Sequence, residues 1–453
     1  MPFAPHPAPD WTAVQAETVS HLQRLIRINT VNPPGNELPA ARYLADQFTA
    51  AGIEVHLFEP APGRGAVVAR LRGNGARRPV MLLGHTDVVG VERASWSVDP
   101  FGGVLKDGYL IGRGAIDDKG MVTANLMTML LLKRHVVDAG GTLARDVLFV
   151  ANADEEAGGE FGMGWLIEHH PALREAEIAL NEGGRTRIVA GKPLYVAVQN
   201  TEKVSHLVSV TARGPGGHAA VPLEGNAIAR LGRALAAIAA HEEPLVVTPT
   251  TRAFFSQLAE RWPAAREARA MRDVASRAAA ARARGGRVLS ATPVFNAVLR
   301  AGVSPVFVQG GVRSNVIPSE ASATLNVRTL PGQRLDAVVA RLRKAIGDRL
   351  VRLEVTERGT DAPVSDFNSP MFVALTEATA VLDPRMVVVP YLSTGATDSA
   401  RLRQLGMQAF GVLPFPMTQG DEDRMHGHDE RVPLASLAFG TRLVYEAIWR
   451  VAL

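Results

Sequence analysis

No cysteine occurs anywhere in the 453 residues. Disulfides and thiolate metal ligands are thereby excluded, and any metal site has to use His, Asp and Glu. Long hydrophobic runs are missing as well. The longest, "LMTMLLL" at 126–132, falls far short of the roughly 20 residues that span a bilayer. The first residues, "MPFAPHPAPDW", lack the basic and then apolar order of a signal peptide, so a cytoplasmic protein is expected. Charge of one sign is not in large excess either. The net charge is +4, from 49 basic and 45 acidic residues, which gives little support to a nucleic-acid partner.

What is present is a globular composition, 47% hydrophobic and 21% charged, at a length that favours two domains. Three short apolar runs read as buried strands: "PVMLLG" (79–84), "DVLFVAN" (146–152) and "EIAL" (177–180). Helical periodicity separates them, at 12–28, 38–51, 119–135 and 162–169. Alternation of strand and helix predicts an α/β domain with a largely parallel sheet. Near residue 200 the pattern changes. "HLVSVTARG" (206–214) and "ASATLNVRT" (321–329) alternate polar and apolar residues, as half-exposed strands do. Helices are expected at 225–241, opening near Asn226 as N-cap, and at 335–347. After 360 the α/β style returns. The expected division is therefore a catalytic-type α/β domain at 1–202 and 361–453, with an α+β domain, 203–360, inserted into it. Within the insert, residues 264–287 are rich in alanine and arginine. Interspersed acids and the absence of aromatics favour a solvated helix over a nucleic-acid arm.

The chemistry-bearing residues share a position. "GHTD" (84–87), "ADEE" (153–156) and "NEGG" (181–184) each follow a predicted buried strand directly, and "MHGHDE" (425–430) lies beyond the strand 408–413. In open α/β sheets the loops past the carboxyl ends of strands line the ligand crevice. His85 and Asp87, two apart in extended chain, face one side, so the carboxylate can orient the imidazole. The pair Asp117–Asp118 stands where a helix begins, where carboxylates are favoured. Of the adjacent Glu155 and Glu156, one can bind metal while the other faces substrate as a base. His426 and His428 have equal claims on these grounds. Each motif alone reads more readily as loop polarity; the four together favour a metal centre.

"LLGHTDVV", "GRGAIDDKG", "ADEEAGG", "LNEGG" and "HGHDER" resemble, in order and rough spacing, the M20 metallopeptidases. Aminoacylase, carboxypeptidase G and succinyl-diaminopimelate desuccinylase belong to that family. The resemblance runs over essentially the whole chain. It implies an α/β di-zinc peptidase domain carrying an inserted lid or dimerisation domain. It also implies cleavage of an amide beside a free carboxylate, in an N-acyl amino acid or short peptide. By it, Asp117 bridges two divalent metal ions, zinc first, with cobalt or manganese able to substitute. His85 and Glu182 would complete one metal's ligands, Glu156 and His426 the other's. His426, four residues before Glu430, is then the ligand and His428 its neighbour. Glu155 would be the general base and Asp87 the partner of His85. In the insert, His218 of "ARGPGGHAAVP" would steady the oxyanion, in dimeric relatives from the partner subunit. Asn315 and Arg328 are the candidates for gripping the substrate carboxylate, and Gly395 for a close backbone approach. The insert is longer by some sixty residues, about 241–300, than in compact members. That resembles the branch of N-acyl-amino-acid hydrolases and some dipeptidases. The lid is the expected surface of a homodimer.

Overall fold

The computed structural model describes residues 9–453. A ten-stranded sheet forms the larger layer. Its centre is four parallel strands in the order Val147–Asn152, Val80–His85, Ile178–Asn181, Gln408–Gly411. Glu54–Ala61 and Arg64–Leu71 extend one side antiparallel. Lys192–Glu202, with Val387–Ser393 parallel to it, extends the other. The first two central strands are buried at every residue. That explains why they read as unbroken apolar runs: helices cover both faces of the sheet. On one face lie Leu38–Ala50, Lys119–Leu132, Pro370–Leu382 and Leu434–Ala452; on the other, Met163–His169 and Asp398–Gln404.

A second, antiparallel sheet has four strands in the order Gly302–Gly310, Glu320–Thr329, Val204–Arg213, Val351–Arg358. The alternating burial of Val204–Arg213 and Glu320–Thr329 is the period-two pattern of a sheet with one packed face. That face packs on the helices Ala227–Ala240 and Leu335–Ile346. The first of these is capped by the Asn226 side chain, which accepts from the amides of Ile228 and Ala229. Gly302–Gly310 is an edge strand with Val306, Phe307 and Val308 exposed.

Residues 264–287 do not form one solvated helix, and this corrects the reading from composition. Two helices, Ala265–Ala275 and Ala279–Leu289, break at 276–278. Ala270, Met271, Val274 and Leu289 are buried. Their core includes Phe254, Phe255 and Phe295, together with Tyr195, Ala197, Val389 and Tyr391 of the larger sheet. The arginines cover the outer face, so a charge-rich sequence conceals an amphipathic pair. Gly285 and Gly286, poor helix formers, sit inside the second helix because of close packing. A Cβ would stand 2.4 Å from the Ala270 carbonyl oxygen at one and 2.0 Å from Leu245 Cδ1 at the other. Among the described residues no helix is long and apolar enough to cross a membrane.

Candidate metal centre

His85 ends a central strand, and Glu155, Glu156 and Glu182 follow the ends of two others. Asp117 stands just before the helix Lys119–Leu132. The two oxygens of Asp117 face different imidazoles. Oδ1 lies 3.0 Å from His85 Nε2, and Oδ2 lies 2.9 Å from His426 Nε2. His426 Nε2 is also 3.2 Å from Glu156 Oε1. His85, Asp117 and Glu156 each offer one ligand atom within 4.8 Å of the others. The exposed His428 has no ring hydrogen bond or ion pair among the described residues. Glu182, Glu155 and Gly395 line the same cavity, of about 260 Å³, as Asp117, Glu156 and His426.

This donor set fits a pair of divalent cations. It is all nitrogen and oxygen, arranged around one carboxylate that can serve two ions. Glu156 Oε1 is buried, and the one group that faces it is the His426 ring. Charge tells the same story. Burial pushes the Glu155 carboxyl well above the usual carboxylate range, against the pull of His85 and with help from Glu182. Burial, with Asp117 and Asp118 beside it, does the same to Glu182. Hydrogen bonds to Asp117 and Glu156 raise the His426 imidazole to about 10. The cluster gathers protons because it holds more negative charge than it can balance, which is what a cation site requires.

Asp87 is fully buried and fastens several parts at once. Its Oδ1 lies 3.3 Å from His85 Nδ1. It accepts from the amides of Glu155 at 3.2 Å and Glu156 at 3.1 Å. Asn32 Nδ2 donates to it at 2.9 Å and to Asp154 at 3.0 Å. Arg64 then donates to Asp154 at 2.7 Å and pairs with Glu37 at 2.9 Å. Asp154 itself has φ of +67°, a conformation that this side-chain network holds in place. Glu430 does a parallel service for the Asp117 loop. It takes Arg113 at 2.6 Å and the amides of Gly114, Ile116 and Asp117 at 3.1, 2.8 and 3.1 Å. Sequence reasoning assigned no role to Asn32, Arg64, Asp154 or Glu430. Glu430 entered only as the spacing reference for His426, and Arg64 carries no local signal.

The remaining expected residues stand outside the cavity lining. His218 pairs with Val316 across a short two-stranded pairing, and the neighbouring Ala219 N donates to Asn315 O at 3.0 Å. His218 is exposed. Arg328 sits on Glu320–Thr329, its Nε donating to Asn326 Oδ1 at 2.9 Å. Arg185 and Glu422, which the sequence did not single out, line the cavity and pair with each other. The Arg185 Nε donates to the Tyr391 hydroxyl at 3.0 Å.

Known proteins resemble this chain in sequence and in fold. Human aminoacylase-1 is 27% identical over 426 residues, covering 92% of this chain and 90% of that one. The N-fatty-acyl-amino acid synthase/hydrolase PM20D1 of Xenopus tropicalis is 28% identical over 361 residues, covering 78% and 69%. The M20 family metallo-carboxypeptidase Sso-CP2 from Sulfolobus solfataricus shares the fold at a TM-score of 0.70, with 18% identity, over 96% of this chain and 99% of that one. The family model for peptidase family M20/M25/M40 matches residues 81–450. The chain belongs to that family of hydrolytic enzymes.

Proposed function

We propose that this protein is a two-metal amidohydrolase that cleaves the amide of an N-acyl amino acid or short peptide beside its free carboxylate. The observation that carries the reading is Asp117, with one oxygen toward each of two imidazoles, 3.0 and 2.9 Å away, in a cavity that also presents Glu155. Asp117 would serve both ions, His85 and Glu182 one of them, Glu156 and His426 the other. When bound, a pair of divalent cations, zinc foremost, supplies Lewis acidity at the scissile carbonyl and acidifies the attacking water.

The protein's own groups supply the rest. Glu155 Oε takes the proton of the attacking water and returns it to the leaving nitrogen. Its raised proton affinity suits that exchange. Asp87 holds His85 Nδ1, and so keeps Nε2 toward Asp117. By gripping the amides of Glu155 and Glu156 it also fixes the base relative to the ligands. Arg328, with its Nη1 buried and unpartnered, receives the substrate carboxylate. His218 and Asn315 complete a site from outside the cavity, His218 as the oxyanion donor. A second copy paired on the edge strand Gly302–Gly310, with its exposed Phe307, would bring them to a neighbour's cavity. The test is Glu155→Ala. Metal content measured by elemental analysis should persist while hydrolysis of N-acyl amino acids and dipeptides is lost; unchanged turnover refutes the base.

A further inference from the structure

Between the two sheets the chain runs from Lys192–Glu202 directly into Val204–Arg213, and the residue at the junction is Lys203. Its side chain is 3% exposed. Among the described residues it makes no hydrogen bond and no ion pair. Its charged neighbour is another cation, Arg328. Arg328 has no ion pair either; it spends Nε on Asn326 and leaves Nη1 buried without a partner. The adjacent acid is already taken. Glu202 accepts from Arg403, Gln199 and both the amide and hydroxyl of Thr397. Gly302 adjoins both cations. A Cβ placed there would be 3.6 Å from Arg328 Cβ and 3.8 Å from Lys203 Nζ. A buried ammonium beside a half-buried guanidinium, with the one nearby acid, Glu202, already engaged, is costly, and an anion from outside would relieve the cost.

The place is next to the metal cavity. The Lys203 amide donates to the Ser393 carbonyl at 3.0 Å, and Ser393 through Thr397 line that cavity. We infer that Lys203 and Arg328 together form a two-cation cradle for the free carboxylate of the substrate, with Gly302 keeping its mouth open. This rests on the amidohydrolase reading and adds to it a second, previously unassigned cation. An ammonium beside a guanidinium offers a carboxylate one point charge and one planar donor edge. Amino-acid amides and esters lack the charge that the pair awaits, so the cradle selects for the acid.

The experiment uses the full chain in two states. Metal-free protein, stripped with a chelator, is unfolded thermally in the presence of N-acetyl-leucine or of N-acetyl-leucinamide. The acid should stabilise wild type more than the amide does, and Lys203→Gln should abolish that preference. Gly302→Leu, which covers the Lys203 ammonium while leaving both charges in place, should do the same. In metal-loaded enzyme, the ratio of kcat/KM for acid over amide should fall by about tenfold or more in either variant, the loss expected of one charge-assisted contact. Equal stabilisation of metal-free wild type by acid and amide overturns the cradle, as does a preference that survives both variants. If the preference is present and variant-sensitive but neither compound is ever hydrolysed, the cradle stands and the amidohydrolase reading falls.

Discussion

Replacing Lys203 by methionine should make the ligand-free protein more stable. Methionine keeps the length of the side chain and deletes its charge. Burial first, and Arg328 second, lower the Lys203 ammonium from 10.5 to about 8. In the unfolded chain it titrates near its ordinary value. Below pH 8 both states carry the proton, and the folded state bears the whole penalty. At 1.36 kcal/mol per unit that penalty is about 3 kcal/mol. Between pH 8 and 10.5 the folded state sheds the proton first and the penalty fades, to about 1.4 kcal/mol at about pH 9.5. Urea unfolding of Lys203→Met and wild type at pH 7 and at about pH 9.5 reads the difference. The variant should gain most at pH 7 and lose more than half of the gain at the higher pH. A variant no more stable at pH 7, or one whose advantage is the same at both values, refutes the picture of an unbalanced buried cation. A gain in stability coupled to lost selectivity for the acid is the trade expected where a site is built at the expense of the fold.

Four further outcomes follow from the geometry. His426→Ala should lose one of two bound metals and nearly all activity, whereas His428→Ala keeps both, as elemental analysis of the two proteins would show. Asp87→Asn keeps the shape but removes the charge that orients His85, and should weaken metal binding by roughly 10- to 100-fold in a competition titration with a chelating dye. Arg64→Ala leaves Glu37 and Asp154 buried without their cation and should cost about 3–5 kcal/mol in denaturant unfolding. Glu430→Ala strands Arg113 and three amides of the Asp117 loop. It should lower stability by a similar amount and reduce metal occupancy without touching Glu155.

The central strands and the three strand-end motifs were legible in the sequence for one physical reason. A strand covered on both faces has no polar alternation, so its end is sharply marked where chemistry begins. "PVMLLG" stops at Gly84 and His85 follows; "DVLFVAN" stops at Asn152 and "ADEE" follows. The α+β insert was legible through the opposite pattern, strict alternation in 206–214 and 321–329. Residue type and position left His426 and His428 equal, because both belong to one short loop, and the choice of His426 came from the family resemblance through its spacing to Glu430. In the fold the His426 ring lies 2.9 Å from Asp117. The support behind Asp87 was invisible, since Asn32, Glu37, Arg64 and Asp154 come from separate segments and no periodicity links them. The helices at 265–289 were misread because surface arginines outnumber the few alanines and aliphatics that do the packing.

Charge gives the site a direction. The cavity gathers Asp117, Asp118, Glu155, Glu156 and Glu182, and the junction beside it gathers Lys203 and Arg328 with no free acid. A substrate that carries a carboxylate at one end meets opposite fields at the two places. On the proposed reading its carboxylate would be drawn to the junction, leaving the amide beside it over the acidic cavity, where the cations and Glu155 would act. Cations bound in the cavity would soften the repulsion there but would themselves be engaged by the ligand carboxylates. The junction has nothing of its own to spend on. That asymmetry orients the substrate before any specific contact forms. It also predicts that selectivity for the acid weakens with ionic strength less than a surface contact would, because Lys203 is almost wholly shielded from the screening ions.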